Sequence, residues 1–323
     1  MFVTGKCLWK VAMLSVVLIW IEPVGLNAQI SASQVIQKLG YPPGSRLLLI
    51  HGDDFGVAHS VDLATEEALE KGWITSASIM VPCPWFPEAA KFAREHPDLD
   101  LGLHLTLTSE WNLYRWGPVS SQPVPSLRTK EGYLPPTEDE AAAQDAPADV
   151  ARELSAQIEM ARKAGVKFTH FDTHMGTLFQ TPILFSLYQQ AGHDNHVPTF
   201  IVTQNLGQQP KSFSIMSDRV VLSGEFQMHP GVPLDQWLAT CERELAAFGP
   251  GIYQITVHLG YDDKELEAIT AGKPHWWDAP WREADLKVVS SPEFQRFLKA
   301  QGFILVTWRQ IQRAAESESS RKP

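Results

Sequence analysis

Cysteine is almost absent from this chain, with three in 323 residues: Cys7, Cys83 and Cys241. No two stand at C-x-x-C spacing, which speaks against a thiolate metal site. Lysine and arginine form no run or patch, and the formal net charge is −10. A nucleic-acid binder would carry a basic stripe, so that class of partner is excluded. No phosphate-cradling glycine-rich loop is present, and no internal repeat. The apolar stretch VAMLSVVLIWI near the N terminus has only eleven residues, too short to form a stable membrane span.

What that stretch does fit is a targeting signal. Lys6 and Lys10 precede it, and "GLNA" follows, ending on the small residue Ala28. Residues 1–28 therefore read as a secretory signal peptide, and the mature protein as secreted or periplasmic; a retained N-terminal anchor is the alternative. Loss of Lys6, Lys10 and Glu22 would leave a net charge of −11. Cys7 would leave too, and Cys83 and Cys241 then form either one disulfide or two buried thiols.

Beyond residue 28, strand-like and helix-like segments alternate. "RLLLIHG", "ITSASIMVPC", "DLGLHLTLT", "VKFTHFDTH", "TFIVTQ", "IYQITVHLG" and "FILVTW" read as strands. Between them lie helical patterns: "SVDLATEEALEKG" with Ser60 as N-cap, "PWFPEAAKFAREHP", "PADVARELSAQIEMARKAG", "TPILFSLYQQAG", "PLDQWLATCERELAAFG" and "SPEFQRFLKAQG". Repeated βα units build a parallel sheet, and about seven of them favour a distorted TIM-like (β/α) barrel over an open sheet. One such α/β domain is expected over residues 29–315. It carries a Pro- and aromatic-rich insertion at 111–147, a long loop of the kind that is usually functional. Residues 316–323 form a polar tail.

Chemistry gathers where these strands end. "RLLLIHGDDFG" closes an apolar strand with two aspartates, Asp53 and Asp54, which are costly to bury unless their charge is offset. In "LGLHLTLT" the period of two puts four leucines on one face and Gly102, His104, Thr106 and Thr108 on the other. "KFTHFDTH" places His170, Asp172 and His174 together, and "ITVHLG" brings His258. Sites of α/β folds form beyond the carboxyl ends of the strands, so one rim can collect all of these. Two histidines and one carboxylate make a divalent-metal site with open positions. A second carboxylate beside it can act as general base. Adjacent aspartates suit that division, provided the chain turns near Gly56 so that both address one centre.

Each residue alone has a plainer reading. A histidine on an inward strand face is most often a hydrogen-bonded core residue, and Asp-Asp before glycine is often a turn or helix cap. His51, His59 and His96 show no compelling pattern. Convergence of four strand ends is what favours a site.

The same residues carry a family resemblance. "HGDDFG" is similar to the Asn-Ala-Asp-Asp-Phe-Gly signature of the YdjC-like carbohydrate deacetylases. "LGLHLTLT" resembles that family's Gly-x-His-x-x-Leu strand, "THFDTHMG" its Thr-His-x-Asp-Ser-His stretch and "VHLGY" its His-Pro-Gly-Tyr motif. The motifs run in the family's order from residue 46 to about 261. The resemblance implies a (β/α) barrel related to the polysaccharide deacetylases, and one divalent metal ion, Mg or Zn. By position it implies Asp54, His104 and His174 as metal ligands, Asp53 as base, and His258 as a histidine near the substrate. His170 and Asp172 would orient the ligands. The chain departs from the pattern at His51-Gly52, at Leu259 and at Met175-Gly176.

The expected reaction is removal of acetyl groups from N-acetylated sugars or glycans. Trp85, Trp111, Tyr114 and Trp116, and Trp276, Trp277 and Trp281 in "HWWDAPWR", are the candidates for stacking on sugar rings. Two alternatives share the residues. One is another metal chemistry, a hydrolase or a non-haem iron oxygenase. The other is a catalytically silent glycan-binding barrel. Neither the metal nor the oligomeric state is legible.

Overall fold

The computed structural model describes residues 30–202, 213–272 and 277–316. The expected signal peptide, Trp276 and residues 317–323 lie outside the described residues. Seven strands are present: β1 Arg46–Phe55, β2 Ser76–Ile79, β3 Leu101–Leu105, β4 Phe171–Thr173, β5 Gly224–Gln227, β6 Gly251–Val257 and β7 Phe303–Leu305. The helices are α1 Ala32–Lys38, α2 His59–Glu70, α3 Phe86–Glu95, α4 Glu138–Gln144, α5 Pro147–Lys163, α6 Pro182–Asp194, α7 Trp237–Ala246, α8 Lys264–Ile269, α9 Ala279–Ser290, α10 Pro292–Ala300 and α11 Trp308–Glu316.

The sheet runs β4-β3-β2-β1-β6-β5 and every pairing is parallel. β7 joins β1 over Arg46–Leu48, while β2 joins it from His51 onward. Single parallel bridges, Phe171 to Thr199 and Val202 to Leu222, continue from β4 round to the residues leading into β5. The result is the expected distorted (β/α) barrel. β1 is its central strand, pairing with β2, β6 and β7: Leu47 to Ile50 are all fully buried, as a strand covered on both faces requires.

Side-chain alternation then sorts the interior. The leucines of β3 are buried, as expected of a face packed under helices, and Gly102 and His104 point the other way into the barrel. The upper interior is polar rather than aliphatic: Ser76, Ser78, His51, His170, Asp172 and Gln254 are all buried there. Such groups demand partners, and the partners make the site described below.

Several elements differ from expectation. "TFIVTQ" contributes only isolated bridges among the described residues, and the seventh strand is instead β5, a four-residue segment that the sequence does not advertise. α2 begins two residues earlier, at His59 with Ala58 as N-cap. Ser60 does not cap it but donates its hydroxyl to Asp263 and Glu265. Trp308 opens α11 instead of ending a strand, and Glu316, the first residue of the expected polar tail, is the last of that helix. The segment 111–147 is no structureless loop. It contains a 3-10 turn at Pro125–Leu127 and α4, and it buries Trp111, Trp116, Val124, Leu127 and Leu134. Its folding follows from apolar content that a mobile loop would not carry.

Candidate active site

β1 positions the two aspartates. His51 and Asp53, two residues apart, share a face and point inward, and Asp54 would point away on a regular strand. It does not, because Asp54 adopts φ 66° and the register with β2 slips between Gly52 and Phe55. The chain therefore turns at Asp54 itself rather than only at Gly56. Aspartate is among the few side chains that tolerate this left-handed conformation.

Asp54 thereby meets two histidines. Its Oδ1 lies 3.5 Å from His104 Nε2 and 3.3 Å from His174 Nδ1, and these two nitrogens are 3.2 Å apart. His104 comes from β3. His174 follows β4 directly, on a turn whose next residues, Met175 and Gly176, both have positive φ.

The opposite nitrogen of each ring is engaged. His104 Nδ1 is 2.7 Å from Asp172 Oδ1, and His174 Nε2 is 3.0 Å from Glu110 Oε2. A carboxylate can only accept, so each ring donates there and turns its lone pair inward. Two lone pairs and the Asp54 Oδ1 then face one another, and that oxygen has no hydrogen-bond partner. Three buried acceptors converging with no donor are a site for a cation. Asp54, His104 and His174 form one of the clusters able to hold a metal ion, and the donor set of two nitrogens and one oxygen suits a divalent ion.

The electrostatics around this centre are set by burial and by charged partners. Burial alone would raise the Asp54 carboxyl, but the guanidinium of Arg282, 2.6 Å from Oδ2, and His174 hold it well below the usual range. Burial opposes protonation of His174, yet Glu110 and Asp54 raise it to about 10, so without a cation its Nδ1 takes up a proton, and a metal ion would bind there by displacing it. His104 is raised in the same way, with burial opposed by Asp172 and Asp53. Arg282 is itself buried in α9. It donates Nε to the carbonyl of Trp277 and lies over the Trp111 ring at 5.5 Å.

Asp53 stands beside the cluster. Its Oδ2 is 3.7 Å from His104 Nε2 and 3.9 Å from His258 Nε2, and its Oδ1 is 3.3 Å from His51 Nε2. His258, just beyond β6, accepts no charge easily. Burial outweighs the pull of Asp54 and Asp53 and lowers its imidazole to about 4. Its backbone N–H is fixed by Asp285 Oδ2 at 2.9 Å.

A cleft of about 390 Å3 opens over these residues. Asp53, Asp54, His104, Asp172, His174 and His258, all read from the sequence, line it together. His170 does not reach it. That ring stacks on Trp308 at a centroid distance of 5.3 Å, below the floor. Among the aromatic candidates Trp277 lines the cleft and is half-buried. Trp111, Trp116 and Trp281 are buried, and pack behind the site against Tyr114, His174 and Trp237. Their apolar area is already used by the core, so no ring face is left for a sugar. Tyr114 donates its hydroxyl to the carbonyl of Val57, and Trp85 stacks on His59 away from the cleft.

Three contributors escaped the sequence reading. His51 shares the period-two face of Asp53, so its inward direction was available. Glu110 ends "LTLTSE", the same strand-end position that marked the others. Arg282 lies in a helix not foreseen, and nothing local distinguishes it from a surface arginine.

Comparison with known proteins gives the chain's relatives. A family model described as YdjC-like protein matches residues 47–300. A carbohydrate deacetylase of Thermus thermophilus is 31% identical over 287 residues, covering 87% of this chain and 98% of that one. A carbohydrate deacetylase of Brevibacillus brevis is 30% identical, covering 82% and 99%. Among solved structures, an Enterococcus faecalis V583 protein described as a candidate for cellobiose-phosphate cleavage superposes with a TM-score of 0.69 at 22% identity. It covers 83% of this chain and 99% of that one, and shows the same fold. A match across most of the chain, on relatives covered almost end to end, leaves one conclusion: the chain belongs to the YdjC-like family.

Proposed function

We propose that the protein is a metal-dependent carbohydrate deacetylase that hydrolyses the acetamide of N-acetylated sugars, acting outside the cytoplasm. The observation that carries this reading is the convergence of Asp54 Oδ1, His104 Nε2 and His174 Nδ1, with the Asp53 carboxylate alongside. A divalent ion held by those three atoms would acidify a water molecule and stabilise the oxyanion of the tetrahedral intermediate, worth several kcal/mol in typical cases. The residue-level chemistry follows from position. Asp53, in reach of both the cation site and His258, takes the proton of the attacking water. His258 is neutral near pH 7, because burial lowers it to about 4, so it holds no proton of its own to give as an imidazolium. The proton taken by Asp53 is the one passed on, directly or through His258 Nε2 at 3.9 Å, to the departing sugar nitrogen. Acetic acid and the free amine leave, Asp53 is again a carboxylate, and the acid's remaining proton passes to the amine, giving acetate and an ammonium sugar. Trp277 beside His258 offers an apolar face at the mouth of the cleft. The N-terminal segment with Lys6, Lys10 and the apolar run supports export.

The test is acetate release from a panel of N-acetylated mono- and oligosaccharides, before and after stripping with a chelator and reloading with Mg2+ or Zn2+. Acetate is expected from at least one sugar, lost on stripping and restored on reloading without oxygen. Binding of the sugars with no acetate from the reloaded protein would establish the silent glycan-binding reading instead. A requirement for iron and oxygen would establish an oxygenase.

A further inference from the structure

His51 lies deeper than the cleft and takes no part in the chemistry above, yet its ring touches both the base Asp53 and Asp172, the carboxylate that holds His104. Nε2 is 2.8 Å from Asp172 Oδ2, which through Oδ1 holds His104. The same Nε2 is 3.3 Å from Asp53 Oδ1. That second contact is a charge contact rather than an aligned hydrogen bond, since Asp53 Oδ1 has no hydrogen-bond partner. A nitrogen facing two carboxylates can only be a donor. The ring is also locked. Nδ1 is 2.7 Å from the Ser76 hydroxyl, Nε2 is 3.1 Å from that of Ser78, and His170 packs edge-on at 5.0 Å. His51 is fully buried.

We infer that His51 is a positioning residue that joins the base to the metal-binding histidine: one N–H holds Asp172, and with it His104, while drawing Asp53 to its place. The inference rests on the deacetylase reading for its kinetic part only, because the link to His104 bears on cation binding whatever the reaction. Partners that orient a metal-binding histidine typically contribute about 10–100-fold to metal affinity. The required feature is a donor at the reach of Nε2, not merely a polar group. A glutamine amide nitrogen reaches that point from residue 51, and an asparagine amide reaches only to the level of Nδ1.

The experiment compares the full chain with His51→Gln, His51→Asn and His51→Leu. It measures Zn2+ affinity by chelator competition, kcat and KM for acetate release, and thermal midpoint. For His51→Asn and His51→Leu, Zn2+ affinity should fall about 10-fold or more, and kcat should fall with KM little changed. His51→Gln should recover most of both. If the glutamine and asparagine variants are equally impaired, or if affinity and kcat simply track the loss of thermal midpoint, the ring is packing and the inference is overturned. Should His51→Leu fail to fold, the glutamine–asparagine contrast still decides. If the parent chain releases no acetate from any sugar, the deacetylase reading falls, and the Zn2+ series still decides for or against His51.

Discussion

At the scale of single residues, the two aspartates differ by what surrounds them. Asp54 is bound by Arg282 and turned by its own backbone, and Asp53 stands among the rings of His51, His104 and His258. Asp53→Asn keeps the shape and removes the base. We expect kcat to fall by about 10^2-fold or more while Zn2+ binding, followed by chelator competition, stays within a few-fold. Near-normal turnover would refute the assignment. His258 gives a second prediction, this one in stability. Its folded value of about 4 lies below the 6.5 of an ordinary imidazole. Between those pH values the unfolded chain binds a proton that the folded chain refuses. Stability therefore rises from pH 4 to 6.5 and this contribution is flat above. Urea denaturation of metal-free protein should show a shallower acid limb in His258→Gln than in the parent. An identical limb would mean that His258 titrates normally. Most of these residues were legible from strand alternation and strand ends. His51 obeyed the same rule and was passed over, and Arg282 obeyed no local rule at all.

At the scale of elements, the strands rich in β-branched and leucine residues were legible, and β5 was not. "GEFQ" carries one apolar residue of size, and its pairing with β6 is supplied by the neighbouring strand rather than by local preference. The helix α9 was hidden for a related reason: its apolar faces serve a polar site, so Arg282 and Asp285 are both buried within it. The same crowding makes β3 intolerant of small changes. A Cβ at Gly102 would stand 2.5 Å from the His170 ring, which is itself wedged against Trp308. Gly102→Ala should therefore destabilise by about 1–3 kcal/mol, read by urea denaturation, although alanine normally stabilises a strand relative to glycine. An unchanged midpoint would show that the His170 ring can move away.

At the scale of the whole molecule, the cysteine question has an answer: Cys83 and Cys241 are free and buried. Neither thiol should react with an aromatic disulfide reagent until denaturant is added, and a reductant should leave the thermal midpoint unchanged. Rapid labelling of the native protein would contradict this burial. The insertion, too, belongs to the whole. It sets Trp111 under Arg282, directly after Glu110 reaches His174, so it is part of the site's frame and not an appendage. The left-handed turn at Asp54 has a consequence for how such a site can disappear. Arg282→Met alone strands a buried carboxylate, and Asp54→Gly alone strands a buried guanidinium; each should lower stability by about 3–5 kcal/mol. The double variant strands neither, and it also relieves the backbone at φ 66°. It should equal or exceed the metal-free parent in urea, and a double variant no more stable than either single one would refute the coupling. Drift can therefore erase the Asp54–Arg282 pair only by crossing a valley two substitutions wide, so the fold shields that pair from gradual decay even when selection for it lapses.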